Sequence, residues 1–221
     1  LGFQGTFQLP SEAGSGIGFF EFLFPGIVAL IILFTAIFST ISIVEERKSG
    51  FLQGALIAPV SRTSLVLGNT LGGTTLALFE AALFLLFVPL IGITITLPGL
   101  AIVIVAAFCL GLTFTALGVL IAWRMETTRG FHAVMNLFLL PLWFLSGSFF
   151  PLEGAPQILQ WIIRINPVSH AVSAIRHGLY YPEAPALVTS SPAVSLVVSV
   201  LTAAIMVAVT TSYVRRPLFA R

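Results

Sequence analysis

The 221-residue chain is 57% hydrophobic and 8% charged, against about 25% charged in an ordinary globular domain, so lipid rather than water is the solvent for most of it. Its length, with no long polar stretch, leaves no room for a separate soluble catalytic domain. The net charge of +2 comes from Lys and Arg placed at helix ends rather than in a patch, which speaks for membrane topology and against a nucleic-acid partner.

The chain opens at Leu1, and residues 1–18 hold no Lys or Arg, so this is not the start of a signal peptide. A spanning helix needs about 20 mostly apolar residues. Five stretches reach or approach that length, at 22–44, 65–91, 99–123, 131–150 and 187–213. Between the first and second, Phe51, Leu52, Ala55 and Leu56 recur at helical spacing and Pro59 stops the turn. This predicts a short amphipathic surface helix, with Ser61 or Thr63 capping the next span. That segment is either a solvated connection whose charges fix topology or a docking surface for a soluble partner.

The second span carries Gly68, Gly72 and Gly73, and the third Gly111 and Gly118. Such small residues let helices approach closely, so both spans are expected inside the bundle. The run 68–74 has two glycines at the spacing of a phosphate-binding loop, but no Lys follows and no strand precedes. Helix packing explains it better. Glu80 is the acid well inside a spanning stretch, where a charge demands a partner, a proton or a water-filled path. It serves either the structure of the bundle or the passage of a substrate or proton.

Cys109, the single cysteine, excludes an intrachain disulfide and a cysteine metal cluster. Pro141 should kink the fourth span, with a break at Ser146-Gly147-Ser148. Residues 146–187 then read as a hairpin of two short helices. In 156–165, Gln157, Gln160 and Arg164 form a narrow polar stripe; in 168–179, Ser169, Ser173, Arg176 and His177 share one side. Both are too short to span and are expected to lie at the interface or dip in and return, with Trp161, Tyr180 and Tyr181 at headgroup level. His170 and His177 are too far apart on one helix to share a metal, so hydrogen bonding is expected of them. His132 has no partner pattern. The chain holds no Asp, which excludes chemistry needing one within it.

Eight of the ten Lys and Arg fall on one side of these spans, and only Arg164 and Arg176 on the other. The positive-inside rule makes the first side, with the C-terminus, cytoplasmic. The N-terminus as given is then outside, which leads us to expect one helix upstream of Leu1 and six in the complete protein. No internal repeat is evident, which weakens a secondary-transporter architecture.

The order Glu46-Arg47-x-x-Gly50, Leu52-x-x-x-Leu56, Pro59-Val60-Ser61, closing into a span, resembles the signature of ABC transporter permeases of the type-2 exporter family. A second match, Leu145 to Leu152 with Ser146, Gly147, Phe150 and Pro151, followed by Asn166-Pro167, resembles that family's outer hairpin and its Asn-Pro turn. The likeness covers nearly the whole chain and lies nearest the daunorubicin-exporter and Nod-factor-exporter permeases. Members of that family begin with a cytosolic N-terminal helix and a first span, which are expected upstream of Leu1.

The resemblance implies an all-α polytopic membrane protein with a single permease domain, 1–221. It makes 45–61, from Glu45 and Glu46 to Ser61, a coupling segment seated in a cytosolic ABC ATP-binding subunit present in two copies. ATP and Mg would be bound by that subunit, with no cofactor or metal in this chain, which would not itself be an enzyme. It further implies a second permease chain, identical or related, a plasma-membrane location, and export of an amphipathic or apolar substrate (drug, lipid or lipid-linked glycan) by alternating access. The alternatives are an ATPase-independent proton-coupled carrier or channel using Glu80, and a structural membrane anchor.

Overall fold

The computed structural model describes residues 19–50, 61–149, 156–182 and 190–215. They form helices α1 (Phe19–Phe38), α2 (Ile41–Lys48), α3 (Arg62–Leu85), α4 (Leu97–Ala122), α5 (Thr128–Trp143), α6 (Gln157–Ile165), α7 (Pro167–Leu179) and α8 (Pro192–Arg215). No strand occurs among the described residues.

Among the described residues, four helical runs are long and apolar enough to cross a membrane: Phe20–Lys48, Leu97–Ala122, Thr128–Ser148 and Pro192–Arg215. The expected second span is present as α3, 24 residues long. Asn69, Glu80 and a run of Gly and Thr make it more polar than those four. Its apolar stretch also ends sooner than expected, at Leu85, and passes into a 3-10 turn, Val88–Ile91, closed by Gly92 in the left-handed region. The chain is an all-α polytopic membrane protein. Its exposed faces fit that solvent: Ile104 and Phe108 on α4, Leu137 and Phe138 on α5, and Val200, Leu201 and Ile205 on α8 all point outward.

The N-caps follow from side chains at the predicted kinds of position. Ser61 accepts from Ser64 N, Thr96 from Gly99 N, Thr127 from Gly130 N and Asn166 from Val168 N. Thr40 and Ser39 return their hydroxyls to the Ile37 and Ala36 carbonyls. That competition with the backbone ladder bends the first span between α1 and α2.

α4 is the axis, packed against α1, α3, α7 and α8. Val103, Ala106, Phe114, Ala116 and Val119 are buried along it, and Thr210 of α8 donates to the Ala116 carbonyl at 2.9 Å. Small residues set the approach of its neighbours. A Cβ on Gly118 would lie 2.6 Å from Thr40 Oγ1, and one on Gly73 2.2 Å from Ser39 Oγ. Gly111 meets Thr74 in the same seam. The expectation fails for Gly68 and Gly72, which have no neighbour within 4 Å of a Cβ and face an open groove. α3 is therefore buried on one side only.

The two halves of the hairpin, expected at the interface or dipping in and returning, differ in burial. α6 exposes Ile158, Trp161, Ile162 and Ile165, as an interfacial helix would. α7 is buried on every side from Ala171 to Leu179, including Ser173, Arg176 and His177. Three residues of its expected polar side, Ser173, Arg176 and His177, find partners within the bundle. Backbone meets backbone where Gly99 faces Gly178, and each Cβ would strike the other's carbonyl oxygen, at 2.2 and 2.6 Å.

Gly178→Ala is accordingly expected to destabilise the protein by about 1–3 kcal/mol, since backbone rather than a side-chain tip must move. Gly72→Ala, in open space, should be neutral or stabilising by a few tenths up to about 1 kcal/mol. Thermal unfolding of purified variants in one detergent compares them, and equal shifts would contradict this assignment of contacts.

Candidate functional site

Of the segment 45–61, the structure describes Glu45, Glu46, Arg47, Gly50 and Ser61, while Leu52, Leu56, Pro59 and Val60 lie outside the described residues. Glu45 is exposed and Glu46 half-buried at the end of α2. Arg47 turns inward. Its Nη2 donates to the Trp123 carbonyl and its Nη1 to the Met125 carbonyl at 3.4 Å, with the Glu126 charge beside it. These acceptors lie just past the C-terminus of α4, where a helix leaves carbonyls without intrahelical donors. A guanidinium matches that need with a fixed fork of donors and with charge.

Gly50 follows with φ +79°, the left-handed conformation that ends a helix cheaply only at glycine. Ser61 then caps α3. The motif residues in this stretch thus act locally, with Arg47 tying two elements together, Gly50 turning the chain and Ser61 restarting the helix.

The same end of the bundle gathers further cations. Arg62 donates to the Val214 carbonyl at 3.5 Å, Arg215 to Thr63 Oγ1 at 3.1 Å, and Arg124 lies 4.9 Å from the Tyr213 ring centroid. The ends of α2, α4 and α8 and the start of α3 are therefore joined. The contacts of Arg47 with Trp123 and Met125 could not be foreseen from residue types, because backbone acceptors leave no trace there.

At the opposite end, Ser146, Gly147, Asn166 and Pro167 are described, and Phe150 and Pro151 fall outside. The expected break is real: α5 passes into a π turn, Phe144–Ser148, in which Gly147 takes φ +75°. Ser146 donates to the Trp143 carbonyl at 2.5 Å and lies 2.6 Å from Ser148 Oγ. Asn166 Nδ2 donates to the carbonyls of Leu142 and Leu145, at 2.6 and 3.0 Å, while its Oδ1 caps α7. Pro167 takes the first turn of α7, where no backbone donor is needed. One side chain thereby joins the break to the short helices.

Arg176 is 3% exposed, donates to the Phe22 carbonyl at 3.2 Å and places its guanidinium 4.6 Å from the Phe22 ring centroid. Burial lowers its pKa to about 10, so it stays cationic at neutral pH. Tyr180 donates to the Glu21 carbonyl at 2.7 Å, the acceptor that Pro25 leaves without its helical donor. His170 and His177 do form hydrogen bonds, both to Ser190, through Oγ at 3.2 Å and the carbonyl at 2.8 Å respectively. His132 lies against Phe38, ring centroids 5.1 Å apart.

Glu80 stands away from both ends. It is exposed on α3, accepts a hydrogen bond from the Thr35 hydroxyl of α1, and opens on a groove of about 420 Å3 between α1, α3 and the end of α5. Nothing in the sequence placed Thr35 opposite it.

A family model described as ABC-2 type transporter matches residues 4–180. The putative transport permease ycf38 of Cyanophora paradoxa is 30% identical over 162 residues, 72% of this chain and 55% of that protein. Nodulation protein J of Sinorhizobium fredii is 26% identical over 166 residues, 74% of this chain and 63% of that protein. The probable multidrug ABC transporter permease YbhR of Escherichia coli K12 is 27% identical over 151 residues, 67% of this chain and 41% of that protein. The chain spans less than two thirds of the length of these relatives. With the family model covering well over half of its residues, the chain belongs to the ABC-2 type transporter family.

Proposed function

We propose that this chain is the membrane-spanning permease subunit of an ATP-driven ABC exporter, moving a drug, lipid or lipid-linked glycan across a plasma membrane. The chain is a transport subunit, and ATP and Mg are bound and used by a separate cytosolic subunit present in two copies. A second permease chain, identical or related, completes the translocation path. The C-terminus and the Arg47 end are cytoplasmic, in keeping with the excess of Lys and Arg there.

The observation that carries this reading is the bond from Arg47 to the Trp123 and Met125 carbonyls. A segment pushed by the ATPase moves the spans only if it is tied to them, and Arg47 ties the start of 45–61 to the end of α4 and the approach to α5. Leu52 and Leu56 supply the apolar face toward the ATPase groove, and closure of the two ATPase subunits passes through Arg47 as a rigid-body displacement. The hairpin 146–187, with Ser146, Gly147, Asn166 and Pro167, acts at the outer side as lid or exit to the leaflet.

Co-purification of the full-length permease with candidate soluble ATPases tests the docking half. Wild type should capture an ATPase and Leu52→Asp/Leu56→Asp, at matched membrane expression, should lose it; capture of none by wild type would overturn the reading. A carrier or channel that works alone through Glu80 would instead keep transport in that double variant.

Arg47→Met tests the transmission half. It should retain the ATPase and lose transport about tenfold, as expected when charge-assisted hydrogen bonds of about 1.5–3 kcal/mol are removed. Arg47→Lys should restore some of it. Unchanged transport in Arg47→Met would show that the tie carries no motion.

A further inference from the structure

The groove beside Glu80 is lined by Leu30, Ile31, Phe34 and Thr35 of α1, Glu80 of α3, and Leu140, Trp143 and Phe144 at the end of α5. Among the described residues, the lining holds no charge apart from Glu80, and its remaining polar groups are the Thr35 hydroxyl and the Trp143 indole N–H. That N–H is used, donating to the Gly26 carbonyl at 2.8 Å. The Thr35 hydroxyl is given to Glu80. The groove thus presents one carboxylate against an aliphatic and aromatic wall.

A carboxylate offers several acceptor positions, and among the described residues the Thr35 hydroxyl meets one of them. Glu80 lies on the flank of the bundle, amid helices whose outward faces are apolar, where an ionisable group is costly unless paired. The pairing that answers both the charge and the wall is a cation with a bulky apolar body. Phe34, Trp143 and Phe144 add ring faces that attract such a cation. A neutral lipid would leave the carboxylate uncovered, and an anion would be repelled by it.

We infer that the groove between α1, α3 and α5 is a lateral binding site for a cationic amphiphile entering from the bilayer, with Glu80, positioned by Thr35, as its counter-ion. This rests on the permease reading and narrows the substrate class to lipid-soluble cations, with an adjacent copy of the chain or a zwitterionic lipid as competing occupants.

The test is equilibrium binding of tetraphenylphosphonium to the full-length protein in nanodiscs of phosphatidylcholine, with tetraphenylborate as the anion of matched size. Wild type should bind the cation and not the anion. Glu80→Gln should weaken cation binding about tenfold, the loss of roughly 1.4 kcal/mol. Leu140→Trp, which keeps the carboxylate and fills the groove, should weaken it as well.

Each variant is compared at wild-type thermal stability, and should one fail to fold the other carries the test. Cation binding no greater than to empty discs, or equal in wild type and a folded variant, overturns the site. So does efficient copy-to-copy cross-linking through Leu140→Cys, which would show the groove filled by a second chain. ATPase capture is measured on the same preparations. Capture retained without cation binding sinks this site alone, and loss of capture by wild type sinks the permease reading.

Discussion

A bundle in lipid has no water to cover a carbonyl that a helix break sets free, and such a group costs several kcal/mol if left bare. That constraint organises this molecule. Pro25 frees the Glu21 carbonyl, and Tyr180 supplies the donor from far along the chain. The end of α4 leaves the carbonyls of Trp123 and Met125, and Arg47 reaches both. The π turn after α5 leaves those of Leu142 and Leu145, and Asn166 bonds both. The irregular places are therefore the places where distant segments are joined.

The motif residues divide by the physical demand each one meets. Glycine appears where the backbone must turn left-handed, at Gly50 and Gly147, or where backbones touch, at Gly99 and Gly178. Long-armed donors reach backbone carbonyls past the end of α4 and in the first turn of α1. Arg47 and Arg176 are the clearest, one at each end of the bundle and each turned inward onto backbone oxygen. A cation facing inward cannot also be the surface that a partner reads.

What was legible in the sequence follows from the same division. Apolar run length located the spans, and the polar residues before the second located its cap at Ser61, while the caps at Thr96, Thr127 and Asn166 emerged only from the structure. The break at Ser146-Gly147-Ser148 was legible because Pro141 and Gly147 are local signals. Burial of α7 was not. Its polar residues left open an interface or a segment that dips in and returns, and only the fold supplies Ser190 as the partner of His170 and His177. Nor could spacing separate Gly73, packed against Ser39 and Thr115, from Gly72 one residue earlier, which faces open space. A helix turns about 100° per residue, so neighbours share a motif without sharing a face.

The ties at the two ends also bear on how a permease of this design would move. At one end α2, α3, α4 and α8 are joined through Arg47, Arg62 and Arg215. At the other, α1, α4 and α7 are held by Arg176, Tyr180 and the Gly99–Gly178 contact. Shearing α4 against α7 would have to separate backbones already at the limit of approach, and shearing it against α2 would strip a guanidinium from its acceptors. Packed interiors of this kind shift as units rather than deform continuously. Under the proposed function, displacement of the cytoplasmic segment then tilts this core as one body, and the path opens at its boundary with the second permease chain rather than through its middle.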